Sequence, residues 1–430
     1  MAADTRDDWK TWLRIGLLSF GGPAGQIALM HRELVEQRGW IDERGFASGL
    51  SFCMLLPGPE AQQLATYIGW RRGGPWQAVI AGSLFFLPGA MLIAAICLAY
   101  VAAQDLAPAQ AALFGVQCAV ISIVIEALMR VARRALNGSG SALIAILAFL
   151  AVATRALPFP LVLLAAALAG LALHRGVDTS GPGKAQADPD RIGRASLRPA
   201  LIALLLWLLP LATLWLTLGD DHLLTRIALL FSELAVVTFG GAYAVLAYVT
   251  EQAVQVNGWL STAQMMDGLG LAETTPGPLI LVLQFVAFMA GAQAGESPSL
   301  WMALAASGIA LWVLFLPSFV WILAGAPRVE WLAAQPRARA ALQGITAAVL
   351  GVIAQVALWF ALHLFFGEVD TIDWASLQLA VPDPASFRLS TVLPTLTGAL
   401  LLFALHRGVV FCLGAAAGVA LLQWWLSGAA

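Results

Sequence analysis

Residues 44–72 read RGFASGLSFCMLLPGPEAQQLATYIGWRR, an apolar run with arginine at both ends and Pro57-Gly58-Pro59 in its middle. Cytoplasmic loops collect Lys and Arg, so a segment that crosses the bilayer once is not expected to carry Arg44 at one end and Arg71-Arg72 at the other. Interrupted at the Pro-Gly-Pro, residues 46–70 leave about 11 residues per arm, or roughly 16 Å of helix, half of a hydrocarbon core about 30 Å thick. The stretch therefore reads as a re-entrant hairpin with Pro-Gly-Pro at its tip, and the preceding Phe20-Gly21-Gly22 segment as broken or re-entrant too. In the alternative, where both segments cross fully, only the loops at 31–45 and 250–264 change sides. The arginine placement favours re-entrance.

The rest of the chain has the same character. Of 430 residues, 60% are hydrophobic and 11% charged, against about 25% charged in a soluble domain. Thirteen apolar segments recur, near 11–30, 46–70, 75–101, 111–129, 141–157, 159–174, 199–218, 227–249, 265–292, 299–325, 341–366, 391–406 and 409–427. This pattern predicts an all-α polytopic membrane protein. No basic arm or patch points to nucleic acid, and the lipid bilayer is the expected surrounding. Asp4, Asp7 and Asp8 beside Arg6 and Lys10 do not make the basic n-region of a cleaved signal peptide, so the N-terminus is expected to be retained. Cys53, Cys97, Cys118 and Cys412 lie in apolar segments without CxxC spacing and read as packing residues. The five histidines lack metal-ligand spacing, and there is no Walker motif, GxGxxG or nucleophile elbow. Neither an enzyme nor a metal or cofactor is expected.

Three rare motifs occur twice. Phe20-Gly21-Gly22 returns as Phe239-Gly240-Gly241, Gly39-Trp40 as Gly258-Trp259, and Pro57-Gly58-Pro59 as Pro276-Gly277-Pro278, each 219 residues on. Leu87-Pro88 and Gly115 return as Leu316-Pro317 and Gly344 at an offset of 229, as if ten residues had been inserted around Gly295 to Trp301. The expected organisation is a first repeat at 1–174, a cytoplasmic linker at 175–198 with Gly181-Pro182-Gly183, and a second repeat at 199–430. Loop charge is opposite in the two. Arg32, Arg38 and Arg44 face no basic residue in 250–264, whereas 102–110 has none and its counterpart holds Arg328, Arg337 and Arg339. Two inverted-topology repeats follow, an architecture that places substrate near mid-membrane where the repeats meet.

Non-helical backbone at membrane depth must line a cavity or be covered by protein. A Pro-Gly-Pro that opens a helix would aim free N–H groups and the positive helix end at the tip, a place for an anion. Read alone, Pro-Gly-Pro and Gly-Gly are also kinks or close-packing points; their duplication in register argues for a site. Glu60 follows the first tip, with Gln62, Gln63, Thr66 and Tyr67; Glu273, Thr274 and Thr275 precede the second. A carboxylate in an apolar segment is costly, which suggests proton uptake linked to anion movement, or else a helix cap or an arginine partner. Gln26 and Tyr243 are candidate donors to oxyanion oxygens. Arg14, Arg32, Arg71 and Arg72 could balance a dianion, Arg14 also being placed to reach the headgroups. His31, just beyond the Gly-Gly segment, is a further candidate for coupling. Glu126 and Arg130 are spaced to pair.

The stretches FGGPAGQIALMH (Phe20 to His31), LLPGPEAQQLATYIGW (Leu55 to Trp70), TFGGAYAVLAYV (Thr238 to Val249) and TTPGP (Thr274 to Pro278) resemble the chromate ion transporter family in its long, two-domain form. The resemblance covers nearly the whole chain and is weaker in the second repeat. It implies export of chromate through the bacterial inner membrane as a multi-pass protein, driven by the membrane potential or the proton gradient, with chromate resistance as the result. Its motif residues fall on Gly21, Gly22, Pro23, Gln26, Pro57, Gly58, Pro59 and Glu60, and on Gly240, Gly241, Pro276, Gly277 and Pro278. Sulfate is also a tetrahedral dianion, and a sulfate or other oxyanion carrier is the alternative. A homodimer is left open.

Overall fold

The computed structural model describes residues 7–136, 138–173, 197–239, 242–295, 299–329, 335–374 and 377–428. The expected linker, but for its last two residues, and Gly240 and Gly241 lie outside these. In chain order the helices are α1 (Asp8–Leu18), α2 (Gly22–His31), α3 (Glu43–Cys53), α4 (Glu60–Ala103), α5 (Ala107–Ala135), α6 (Ser139–Ala153), α7 (Phe159–Leu173), α8 (Arg198–Leu218), α9 (Leu223–Val237), α10 (Ala242–Thr250), α11 (Thr262–Glu273), α12 (Val282–Ala292), α13 (Leu300–Gly325), α14 (Pro336–Phe365), α15 (Val392–Ala399) and α16 (Val409–Gly428). A short antiparallel hairpin, β1 (Val369–Trp374) with β2 (Leu377–Pro382), pairs Val369 with Pro382 and Trp374 with Leu377.

The protein is thus an all-α polytopic membrane protein, and its breaks fall on the motifs. Among the described residues six helices are long and apolar enough to cross a membrane: α4, α5, α8, α13, α14 and α16. Four of the thirteen apolar runs are each split into two short helices. Run 11–30 becomes α1 and α2, 46–70 becomes α3 and the first arm of α4, 227–249 becomes α9 and α10, and 265–292 becomes α11 and α12. Local chemistry sets the ends. Pro23 stands in the first turn of α2, Asp42 caps α3 by accepting from Gly45 N–H at 3.3 Å, and Ser261 caps α11 in a reciprocal box with Gln264. Gly73 and Gly74 leave helical geometry and divide α4.

The repeat is visible in the backbone. A π-helical turn at Arg32–Gln37 has its counterpart at Glu251–Val256, in the same register of 219 residues. Gly58 and Gly277 share left-handed φ values of +117° and +102°.

Two compact units are formed, and each draws on both repeats. The first comprises Met1–Ala95, Gly176–Ala242 and Thr275–Arg339; the second Ile96–Arg175, Tyr243–Thr274 and Ala340–Ala430.

In the first unit, α1 with α2 and α3 with the first arm of α4 are two helical hairpins whose open ends lie together. Trp12 and Trp40 have ring centroids 5.8 Å apart, Arg38 Nε donates to Thr11 Oγ1 at 3.1 Å, Arg72 pairs with Asp8 at 3.0 Å, and the Arg72 guanidinium sits 4.7 Å from the Trp40 ring. A full crossing would have put residues 38–40 at the opposite end from residues 8–12 and 72. Buried Glu33 accepts from Arg38 at 3.2 Å and lies 3.6 Å from Arg14, so Arg14 turns to this carboxylate. Beneath these groups Trp12, Ile15, Phe52, Leu64 and Phe85 form the apolar core. Gly89 on α4 lets the helix touch the backbone of Pro276, and a Cβ there would overlap the Pro276 carbonyl. Gly89→Ala is expected to destabilise the protein by about 2 kcal/mol, the scale of an overpacked core. A lower thermal midpoint in detergent would show this, with Gly414→Ala, a helical site with open space, unchanged.

In the second unit small residues set the helix spacing, as in membrane bundles generally. Gly115 faces Ala416 and Ala417, Gly170 faces Gly344, and Gly351 faces Ala145. Cys97, Cys118 and Cys412 are buried free thiols there, as Cys53 is in the first unit. Glu126 and Arg130 pair at 2.6 Å, as their spacing suggested.

Candidate functional site

The motifs of both repeats meet in the first unit through two reciprocal backbone bonds. Gly58 N–H donates to Thr238 O, and Gly277 N–H donates to Ser19 O, both at 2.8 Å. Thr238 is the equivalent of Ser19 and Gly277 of Gly58, so each tip bonds the helix end of the other repeat in the same way. Prolines have no N–H, so the glycine is the sole donor of each Pro-Gly-Pro, and in an apolar medium an unsatisfied donor costs several kcal/mol. Ser19 and Thr238 cap the C-termini of α1 and α9, where carbonyls lack intrahelical donors. Each repeat's orphan donor is matched to the other's orphan acceptor. The Ser19 hydroxyl turns back on Ile15 O at 2.6 Å, and the Thr238 hydroxyl does the same on Leu234 O.

This pairing corrects one expectation. The N–H of the tip glycines is spent. In the turn that follows each tip, the N–H groups of Ala61 and of Leu279 and Ile280, at the start of the short 3-10 turn Leu279–Leu281 that leads into α12, have no carbonyl within their own helix.

These groups surround a cavity of about 20 Å³, lined by Pro23, Gln26, Gly58, Pro59, Glu60, Ala61, Thr238, Pro278, Leu279 and Ile280. Three helical N-termini, those of α2, α4 and the Leu279 turn, open on it, and each carries partial positive charge. Gln26, 1% exposed, donates through Nε2 to Gly277 O at 2.6 Å and Ser19 O at 3.2 Å, leaving Oε1 buried without a partner. Gln63 donates to Pro57 O at 2.6 Å and to Ser318 Oγ at 3.4 Å. Such a volume admits about one water, so the arrangement is a closed one, too small for a tetrahedral oxyanion.

The other sequence candidates are placed as follows. Gly21 is the N-cap of α2 and Gly22 its first residue, Pro276 and Thr275 are buried beside Gly277, and Gln62 hydrogen-bonds Thr66 at 3.2 Å and is not among the lining residues. His31 bridges Glu43 at 2.8 Å and Glu36 at 3.1 Å, and the hydrogen bond its ring N–H donates to the Glu43 carboxylate holds its pKa above the ordinary histidine value. It fastens the open ends of the hairpins and does not line the cavity. Arg32 is exposed, and exposed Arg71 lies over Gly45. Glu273 ends α11, in the second unit. Gly240, Gly241 and the side chain of Tyr243 fall outside the described residues. Sequence reasoning passed over Asp267, although the rule that selected Glu60 and Glu273, a carboxylate within an apolar run, applies to it equally.

Helices that break in pairs at membrane depth, with polar groups of both repeats gathered at the break, define a multi-pass membrane transport protein. The chain belongs to the chromate transporter family, whose sequence profile matches residues 8–171 and 225–421. It is similar to a chromate transport protein of Pseudomonas aeruginosa, 33% identical over 349 residues, which are 80% of this chain and 77% of that protein. A chromate transport protein of Cupriavidus metallidurans is 28% identical over 342 residues, 80% of this chain and 79% of the other. A probable chromate transport protein of Synechococcus elongatus is 28% identical over 345 residues, 80% and 81% of the two chains. These relatives are named as transport proteins, not enzymes, and their bacterial sources, with the apolar helices, point to the inner membrane for this multi-pass chain. No solved structure matches the chain.

Proposed function

We propose that this protein exports chromate from the cytoplasm, with the membrane potential as the main drive and a proton on Glu60 linked to anion occupancy, and that it thereby confers chromate resistance. The observation that carries the proposal is the meeting of helical N-termini from both repeats at the cavity that Glu60 lines. A tetrahedral dianion fits such a site because N–H groups at helix ends supply charge and donors without a buried cation. A charged Glu60 in the same space opposes the anion by several kcal/mol, so a proton on Glu60 favours loading and its loss favours release. A dianion leaving with one proton still moves net negative charge outward, which an inside-negative potential drives by about 2.3 kcal/mol per charge and 100 mV. The opposite insertion of the repeats belongs to the same reading.

Everted membrane vesicles with and without the protein provide the test. Energised by respiration, they should accumulate chromate only when the protein is present, lose that uptake when the potential is collapsed, and keep it in excess sulfate. Uptake erased by sulfate would instead favour the alternative, a general carrier of tetrahedral oxyanions, since backbone N–H groups recognise a shape and charge that the two ions share. No protein-dependent uptake would overturn export.

A further inference from the structure

We propose that Asp267, on α11 in the second unit, is a second proton-binding site, which takes up and releases a proton during the transport cycle. The inference rests on the export reading for its role in transport, but not for the protonation itself. Asp267 is 3% exposed. One carboxylate oxygen accepts from the Tyr100 hydroxyl at 2.8 Å and the other from Gln117 Nε2 at 2.9 Å.

A buried carboxylate kept permanently charged is normally matched by a cation, as Glu33 is by Arg38 and Arg14. Among the described residues Asp267 has none. From the end of α4 it faces Tyr100 and from α5 Gln117; the buried thiols of Cys97, Cys118 and Cys412 lie on α4, α5 and α16, and the other ionisable side chains of α4, from Glu60 to Arg72, lie at least 28 residues before Tyr100. The arginines of α5 start at Arg130, thirteen residues or about 20 Å beyond Gln117, where Arg130 is engaged by Glu126. On α11 itself the other acid is Glu273, and α16 carries no charged side chain. Desolvation without a cation favours the neutral acid, while two hydrogen-bond donors favour the anion. The two states are thus brought close in energy.

Both partners can also change roles. A tyrosine hydroxyl accepts as well as donates, and a glutamine amide turned over presents its carbonyl. The new O–H of a protonated Asp267 therefore has an acceptor within reach in either partner. A structural carboxylate held by Arg or Lys could not do this, because those groups only donate. The equivalent position in the first repeat is Ser48, so the site is a property of one repeat.

Infrared difference spectra of the full-length protein in liposomes, recorded between acid and alkaline buffers, read the carboxylic acid directly. A protonated-carboxyl band is expected that disappears in Asp267→Asn and persists in Glu60→Gln. Tyr100→Phe, which keeps the acid and removes one donor to its charged form, should raise the midpoint of that band by up to about one pH unit, a tenfold change in proton affinity. In the same liposomes Asp267→Asn should keep chromate exchange at equal pH within about twofold, while losing most of the response to an imposed pH gradient. Absence of any band sensitive to Asp267→Asn, or a midpoint unmoved in Tyr100→Phe, would overturn the proposal. Should Asp267→Asn not fold, Tyr100→Phe alone decides it. Wild-type liposomes that move no chromate but show the band would overturn export and leave the proton site standing.

Discussion

Gly58→Ala and Gly277→Ala are expected to cut chromate uptake by at least about tenfold at normal abundance. Both glycines sit at φ values, +117° and +102°, where an L-residue costs about 1–3 kcal/mol, and 1.4 kcal/mol is already a factor of ten. Each also donates the 2.8 Å bond that joins one repeat's tip to the other's helix end. The two substitutions differ in their surroundings. A Cβ at Gly58 would come within 2.8 Å of Gln63 Nε2 and Ser318 Oγ, whereas at Gly277 its closest neighbour is the flexible end of Leu281 at 3.0 Å. Gly58→Ala should therefore be the more severe. Initial uptake rates in everted vesicles, normalised to protein by immunoblot, measure this. Near-wild-type rates in both variants would remove the crossed tips from the transport site.

Glu60→Gln should separate binding from turnover. With the charge gone, the anion is no longer repelled by several kcal/mol on the release step, so half-saturation should fall while the maximal rate drops about tenfold or more. On the proposed coupling of loading to a proton on Glu60, the wild-type rate should decline as pH on the loading side rises, and the variant should be flat. Initial rates across pH and chromate concentration read all three quantities. A variant with the wild-type pH profile would leave Glu60 the plainer task of capping α4, whose first residue it is.

Much of this site could be read before any coordinates. The duplication in register of Phe-Gly-Gly and Pro-Gly-Pro located both breaks, and Arg44 with Arg71-Arg72 indicated that the first hairpin returns to its starting side. Those features are local: proline removes a donor and glycine permits left-handed backbone wherever they occur. The polarity of the cavity was partly legible too. Gln26 and Gln63 align with Val245 and Val282 in the second repeat, so the first supplies side chains and the second mainly backbone.

Other features depend on partners distant in sequence. That Gly58 pairs with Thr238 and Gly277 with Ser19, spending the donors expected to be free, follows from bringing together segments about 180 and 260 residues apart, whose own sequences contain no trace of the match. Likewise Arg14 turns to Glu33, His31 is taken up by Glu43, and Asp267 finds Tyr100 and Gln117. Composition, spacing and loop charge determined that the chain is a duplicated, polytopic membrane protein with broken helices. Which buried donor meets which acceptor was decided only by the tertiary structure, because hydrogen bonds are satisfied between neighbours in space and the sequence orders neighbours along the chain.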